Sequence, residues 1–175
     1  MNYAEFRQAY GQHKDMLYRF ARRMTGSGPI AEELVHDCFL ILWRNTVSFD
    51  RARGTLRSFL IGVTRNLAFR RLSKERAFDE LEDEAAICEP IDPAGRERAE
   101  IVEQAVSRLP PLQREAIILA EYEEMTLEEI ARATGVQVAA VKSRLHRARE
   151  NLRHSLEPLL EMKGQTYGTH GRRNQ

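Results

Sequence analysis

No stretch of this 175-residue chain alternates apolar with polar residues over the length of a strand, so the expected fold class is all-α. No apolar run approaches the length needed to cross a bilayer. Tyr3 to Arg23 is amphipathic and charged, without the apolar segment of a secretion signal. Cysteine is scarce: Cys38 and Cys88 are the two, with no CxxC pair or Cys/His cluster beside them. That argues against a disulfide framework or a zinc module, and for a reduced, cytoplasmic protein with no metal and no cofactor. An excess of one charge is missing too. The formal net charge is +1, which taken alone is poor for a nucleic-acid binder. The average hides an uneven distribution: residues 1–78 carry 14 Lys and Arg against 7 Asp and Glu, whereas residues 79–104 carry 2 against 10.

What the chain does have is helical patterning, and it is densest from Met125 to His154. Thr126-Leu127-Glu128-Glu129 has the form of a capping box, in which the Thr hydroxyl takes an orphan amide and Glu129 reaches back. Leu127, Ile130, Ala131 and Thr134 follow at helical spacing. Gly135 then breaks the helix, because glycine adopts a left-handed backbone at little cost. Val136 is placed to plug the angle to a second helix. There Val138, Val141, Leu145, Ala148 and Leu152 form one buried stripe. Lys142, Ser143, Arg144, His146, Arg147 and Arg149 occupy the other faces. A short capped helix, a glycine turn and a basic second helix, in that order, predict a DNA-reading helix-turn-helix. A solvated basic helix in an ordinary bundle would not need that order.

Other helices precede it. Phe6, Tyr10, Leu17, Phe20, Ala21 and Met24 mark a first one, ended by Thr25-Gly26-Ser27-Gly28-Pro29. A second carries Ile30, Leu34, Cys38, Ile41 and Leu42 and closes with Phe39 and Trp43. Thr46 to Gly54 is a polar loop with one aromatic, Phe49. A third helix has Leu56, Phe59, Leu60, Val63 and Leu67 on one face, with Arg57, Arg65, Asn66, Arg70 and Arg71 around it. Residues 79–98 are acidic and broken by Pro90 and Pro93, as a linker would be. Ile101 to Leu109 starts a further helix, Pro110-Pro111 stops it, and Leu112 to Glu123 forms the next. Two small helical domains are thus expected: residues 1–78 and residues 99–162, joined by a flexible acidic linker at 79–98. Residues 163–175 have no periodicity and form an expected disordered tail.

Two segments, 31–76 and 108–152, resemble the extracytoplasmic-function (ECF) group of bacterial sigma factors in the sigma-70 family. The first contains TLRSFLIGVTRNLAFRRLSKER; the second contains LPPLQRE and, after the glycine turn, VKSRLHRAR. The resemblance implies that the first domain binds core RNA polymerase and opens the promoter at the minus-ten element. It implies that the second domain reads the double-stranded minus-thirty-five element, and that the chain itself is no enzyme. Polymerase binding then falls to the outer face of the second helix: Glu33, His36, Asp37 and Leu40, with Trp43 either as anchor or as a core residue. His36 stands where the family commonly has Gln. The loop Thr46 to Thr55 and the third helix would trap single-stranded bases, through Phe49, Arg53, Arg57, Ser58, Arg65, Asn66 and Arg70. Phe59 stands where Trp is frequent, and its place on the apolar stripe favours a core role. Arg70 stands where Asp is frequent. In the second domain Ala139, Ala140, Ser143, Arg144 and Arg147 would face base edges, and Lys142, His146 and Arg149 phosphates. The resemblance also implies an anti-sigma partner that covers both faces of a free monomer.

Three other readings are weaker. Glu33-x-x-His36 resembles half of a di-iron motif, but a second copy is missing. A sigma-like decoy that sequesters an anti-sigma factor would have lost its basic faces. A simple regulator using only the helix-turn-helix leaves residues 1–76 unexplained.

Overall fold

The computed structural model describes residues 2–44, 49–75, 88 and 97–158. Its first helix, α1 (Tyr3–Thr25), begins in a capping box: the Asn2 side chain accepts the Glu5 amide at 2.9 Å, and the Glu5 carboxylate accepts the Asn2 amide at 2.9 Å. It ends where Gly26 turns left-handed at φ 73°. Ser27 caps α2 (Gly28–Trp43), with Pro29 in its first turn. The Asp50 carboxylate starts a single 3-10 turn, Arg51–Arg53, ahead of α3 (Leu56–Glu75). These three helices bury Leu17, Phe20, Ala21, Met24, Ala31, Cys38, Leu60 and Ile61 completely.

The second half begins with α4 (Arg98–Arg108). Pro111 opens the short α5 (Pro111–Ile117), since a proline at a first turn lacks only an amide that would be orphaned anyway. The expected helix from Leu112 to Glu123 is present but changes pitch: from Ile118 to Tyr122 the backbone is π-helical. Then come α6 (Leu127–Thr134) and α7 (Val138–Ser155). All the described helices fit the expected all-α class.

The two halves share one continuous core, running from Leu17 and Phe20 through Leu60 and Ile61 to Ile118, Ile130, Val141 and Leu145. Helix α3 lies between the halves, packed on α1 and α2 on one side and on α6 on the other. That changes its buried set. The expected stripe was Leu56, Phe59, Leu60, Val63 and Leu67. The residues removed from water are Ser58, Leu60, Ile61, Thr64, Ala68 and Phe69, with the rest of the stripe half-buried. A helix covered from two sides does not show a single apolar stripe. At Gly62 the halves touch backbone to backbone: a Cβ there would lie 2.9 Å from the Ala133 carbonyl oxygen. Most of the linker at 79–98 and the tail at 163–175 lie outside the described residues.

Candidate nucleic-acid interface

The helix-turn-helix is built as its local chemistry requires. The Thr126 hydroxyl accepts the Glu129 amide at 3.2 Å, and the Glu129 carboxylate accepts the Thr126 amide at 2.8 Å. That backbone hydrogen bond holds the Glu129 carboxyl below its usual range. Gly135 has φ 72°, and Val136 is half-buried in the angle. Val141, Leu145 and Ala148 of α7 are buried, with Val138 and Leu152 packed at the edge of the core. The N-cap of α7, Gln137, makes no side-chain cap. First-turn amides of this kind point at whatever anion approaches.

On α7, Ala139, Lys142, Ser143, His146, Arg147 and Arg149 are exposed and Ala140 is half-exposed. His146 lies 3.6 Å from Glu150 one turn on, and Arg149 is paired with Glu121 at 2.7 Å. Arg144 is different. Its side chain is only 13% exposed and points back into the molecule, 3.9 Å from the buried carboxylate of Glu115.

Two arginines of α3 are also engaged by the second half. Glu115, buried on α5, holds the Arg65 guanidinium through Nε and Nη2. Arg65 also donates to the Asn66 side chain at 3.2 Å and covers the Phe69 ring at 4.7 Å. Arg57 donates to the Glu123 carbonyl and lies 3.8 Å from its carboxylate. Burial pushes the Glu123 carboxyl up, against the opposing pull of Arg19, Arg57 and Arg23. Ser58 is buried and bonded to the Thr55 hydroxyl at 3.0 Å. Asn66 and Arg70 are exposed. The side chain of Arg53, and the loop from residue 45 to 48, lie outside the described residues.

Between the two sets lies a pocket. Phe49, Asp50, Thr55, Ser58 and Phe59 form one wall, and Arg132 and Ala133 of α6 form the other. Phe49 meets Phe59 at a tilt with ring centroids 5.5 Å apart, and Phe59 is half-buried against it rather than in the core centre. An aromatic floor with polar rims suits an unstacked base. In this structure α6 covers one side of it.

On α2, Glu33 and His36 are exposed, Asp37 and Leu40 are half-buried, and Trp43 is 47% exposed. Trp43 touches the Phe6 ring edge-on at 5.0 Å, and Phe6, Tyr10 and Phe39 extend the aromatic surface. Burial pushes the Cys38 thiol up to about 11, out of range for thiolate chemistry at neutral pH. Among the described residues no group of three His, Cys, Asp or Glu stands close enough to hold a metal.

Sequence reasoning missed Glu115, Glu123 and Arg114, which tie the halves together. A signal was present: Gln113-Arg114-Glu115 is a polar triplet directly before the apolar run Ala116 to Ala120. All three side chains are buried.

Residues 9–78 match the family model for sigma-70 region 2, and residues 99–152 match that for sigma-70 region 4. The chain belongs to the ECF group of the sigma-70 family. Among its relatives, ECF RNA polymerase sigma factor SigE of Mycolicibacterium smegmatis is 32% identical over 154 residues, covering 83% of this chain and 59% of that one. ECF RNA polymerase sigma factor SigK of Mycobacterium tuberculosis is 28% identical over 164 residues, covering 88% of this chain and 87% of that one. This sigma factor therefore spans somewhat over half of the SigE length and most of the SigK length. The sigma factor RpoE of Bartonella quintana, solved in complex with the anti-sigma factor NepR, has a TM-score of 0.67 and 26% identity over 87% of this chain and 97% of its own.

Proposed function

We propose that this ECF sigma factor binds core RNA polymerase, directs it to specific promoters and starts transcription there. The observation that carries this reading is the pairing, in one chain, of a helix-turn-helix with an exposed basic second helix and a three-helix unit with an aromatic base-sized pocket. Residues 1–78 hold polymerase through Glu33, His36, Asp37, Leu40 and Trp43 and take the minus-ten strand. Residues 99–162 read the minus-thirty-five element, and residues 79–98 connect the two. The chemistry belongs to the polymerase, so the sigma factor is no enzyme, and it works in the cytoplasm. No described helix is long and apolar enough to cross a membrane. An anti-sigma factor is a fitting partner, as the complex of RpoE with NepR illustrates for a relative. A decoy that only captured such a factor would have no use for the exposed Arg70, Lys142 and Arg147.

Purified core polymerase supplemented with this protein should start transcripts at defined sites that core alone does not produce. Identical transcripts from core with and without the protein would end the proposal.

The exposed cations of α7 should divide by role. Arg147→Ala should cost about 1–3 kcal/mol on the cognate element and relax sequence preference, as loss of a bidentate base contact does. Lys142→Ala should weaken all duplexes alike and flatten the salt dependence by about one unit of slope. Binding isotherms across salt for both variants check this. Equal, sequence-independent losses would remove Arg147 from base reading.

A further inference from the structure

Three of the cations assigned to promoter DNA, Arg57, Arg65 and Arg144, are engaged inside the molecule. Arg65 of α3 and Arg144 of α7 come from opposite halves, yet both face one carboxylate, Glu115, which is 1% exposed. Arg57 of α3 is held at Glu123, whose carboxylate also feels Arg19 and Arg23. Ser58 is buried, and α6 forms a wall of the base-sized pocket. Each carboxylate sits where a guanidinium fork is presented, the arrangement a phosphate would otherwise take.

We propose that in the free chain Glu115 and Glu123 act as internal stand-ins for DNA phosphates, so that the α5 segment and promoter DNA compete for the same arginines. The partner of the α3 face is then the second half of the same chain. This rests on the sigma-factor reading of those arginines. DNA reaches the α3 face only when the halves separate and Glu115 and Glu123 give up Arg65 and Arg57, while Arg144, on the same half as Glu115, leaves it only by turning to the DNA. Apparent DNA affinity is lowered by the fraction of molecules that remain closed. A buried carboxylate is suited to this because leaving it unpaired is costly, which keeps the closed form from loosening gradually. Gly62 makes the closure tight, since only a residue without Cβ lets α3 meet the Ala133 carbonyl.

Two variants test the competition by different routes. Glu115→Gln keeps shape and hydrogen-bonding capacity but removes the charge. Gly62→Ala changes no charge, raises the helix propensity of α3, and places a Cβ against Ala133. Glu103→Gln, at an exposed α4 site, gives the baseline for losing one negative charge. Affinity is read on a random-sequence DNA duplex and on a thymidine homopolymer strand. Radius of gyration is read by small-angle scattering of the full chain.

Both test variants should bind about five- to tenfold more tightly than the parent, against little change for Glu103→Gln, and both should be more expanded. Folded variants with unchanged affinity overturn the proposal. So does expansion without a gain in affinity, because the uncovered arginines would then not be DNA cations. A gain in Glu115→Gln matched by Glu103→Gln, with none in Gly62→Ala, would reduce the effect to net charge and also overturn it. Neither polymerase nor a promoter enters these readouts, so the competition can fail while core-dependent transcription stands, and the reverse.

Discussion

Arg114→Met should destabilise the folded chain by about 3–5 kcal/mol, a loss large enough to lower the melting temperature by roughly 10 °C or more. Arg114 is buried, and its guanidinium donates to the Met24 carbonyl at 2.8 Å, to the Leu109 carbonyl at 3.0 Å and to the Ser107 carbonyl. Those acceptors share a property. Met24 is in the last turn of α1, and Ser107 and Leu109 are at the end of α4, where carbonyls have no partner within their own helix. One side chain therefore closes the ends of two helices and adds a positive charge at their negative poles. Methionine fills a similar length but donates nothing, leaving up to three buried acceptors short. Urea or thermal unfolding measures the result. A change of less than about 1 kcal/mol would mean that solvent replaces the guanidinium, and that the ends are not sealed.

The second large effect concerns polymerase. Trp43→Ala should weaken binding to core about thirtyfold or more, as loss of a central aromatic anchor at an interface typically does. The same change should barely move the unfolding midpoint, because Trp43 is 47% exposed and its described ring contact is the edge of Phe6. The separation of the two readouts is the test. A large loss of stability would return Trp43 to the core. Unchanged stability with unchanged polymerase affinity would remove α2 as the docking face. His36, exposed beside it, serves as a milder companion site.

The features readable from the sequence were those made by neighbours along the chain. Thr126 and Glu129 meet within one turn, and Gly135 needs only its own backbone angle, so the cap and the turn were both foreseeable. The stripe on α7 was foreseeable too, since one face of that helix meets the core. Tyr10 shows where periodicity stops: it sits on the stripe of α1 yet is 42% exposed, its ring tilted against Phe39 at 4.8 Å. Helix α3 shows the larger gap. Thr64 is buried towards Cys38 of α2, whereas Ser58 lies by Arg132 and Ala133 of α6, more than seventy residues on, and no local pattern encodes that second cover. The inward turn of Arg144 also depends on a neighbouring helix, α5. Its spacing from the stripe suits solvent, but the buried Glu115 carboxylate on α5, already bonded to Arg65, draws it inward. The ECF motifs lie on α2, α3 and α7 but do not indicate which of their cations the chain itself engages.

The change of pitch after Ile117 determines which acid meets α3. In an α-helix the Glu123 amide would bond to Leu119; here it bonds to Ile118 at 3.1 Å, and the Met125 amide reaches Leu119 at 3.0 Å. Each extra residue in a turn sets everything after it back by about 100° of rotation. Glu121, Glu123 and Glu124 are close in sequence and alike in chemistry, and winding phase alone sorts them. Glu121 goes out to Arg149, Glu123 goes in to Arg57, and Glu124 takes the left-handed backbone at φ 52° that starts the next turn. A phase slip of one residue would hand Arg57 a different neighbour without changing a single side chain.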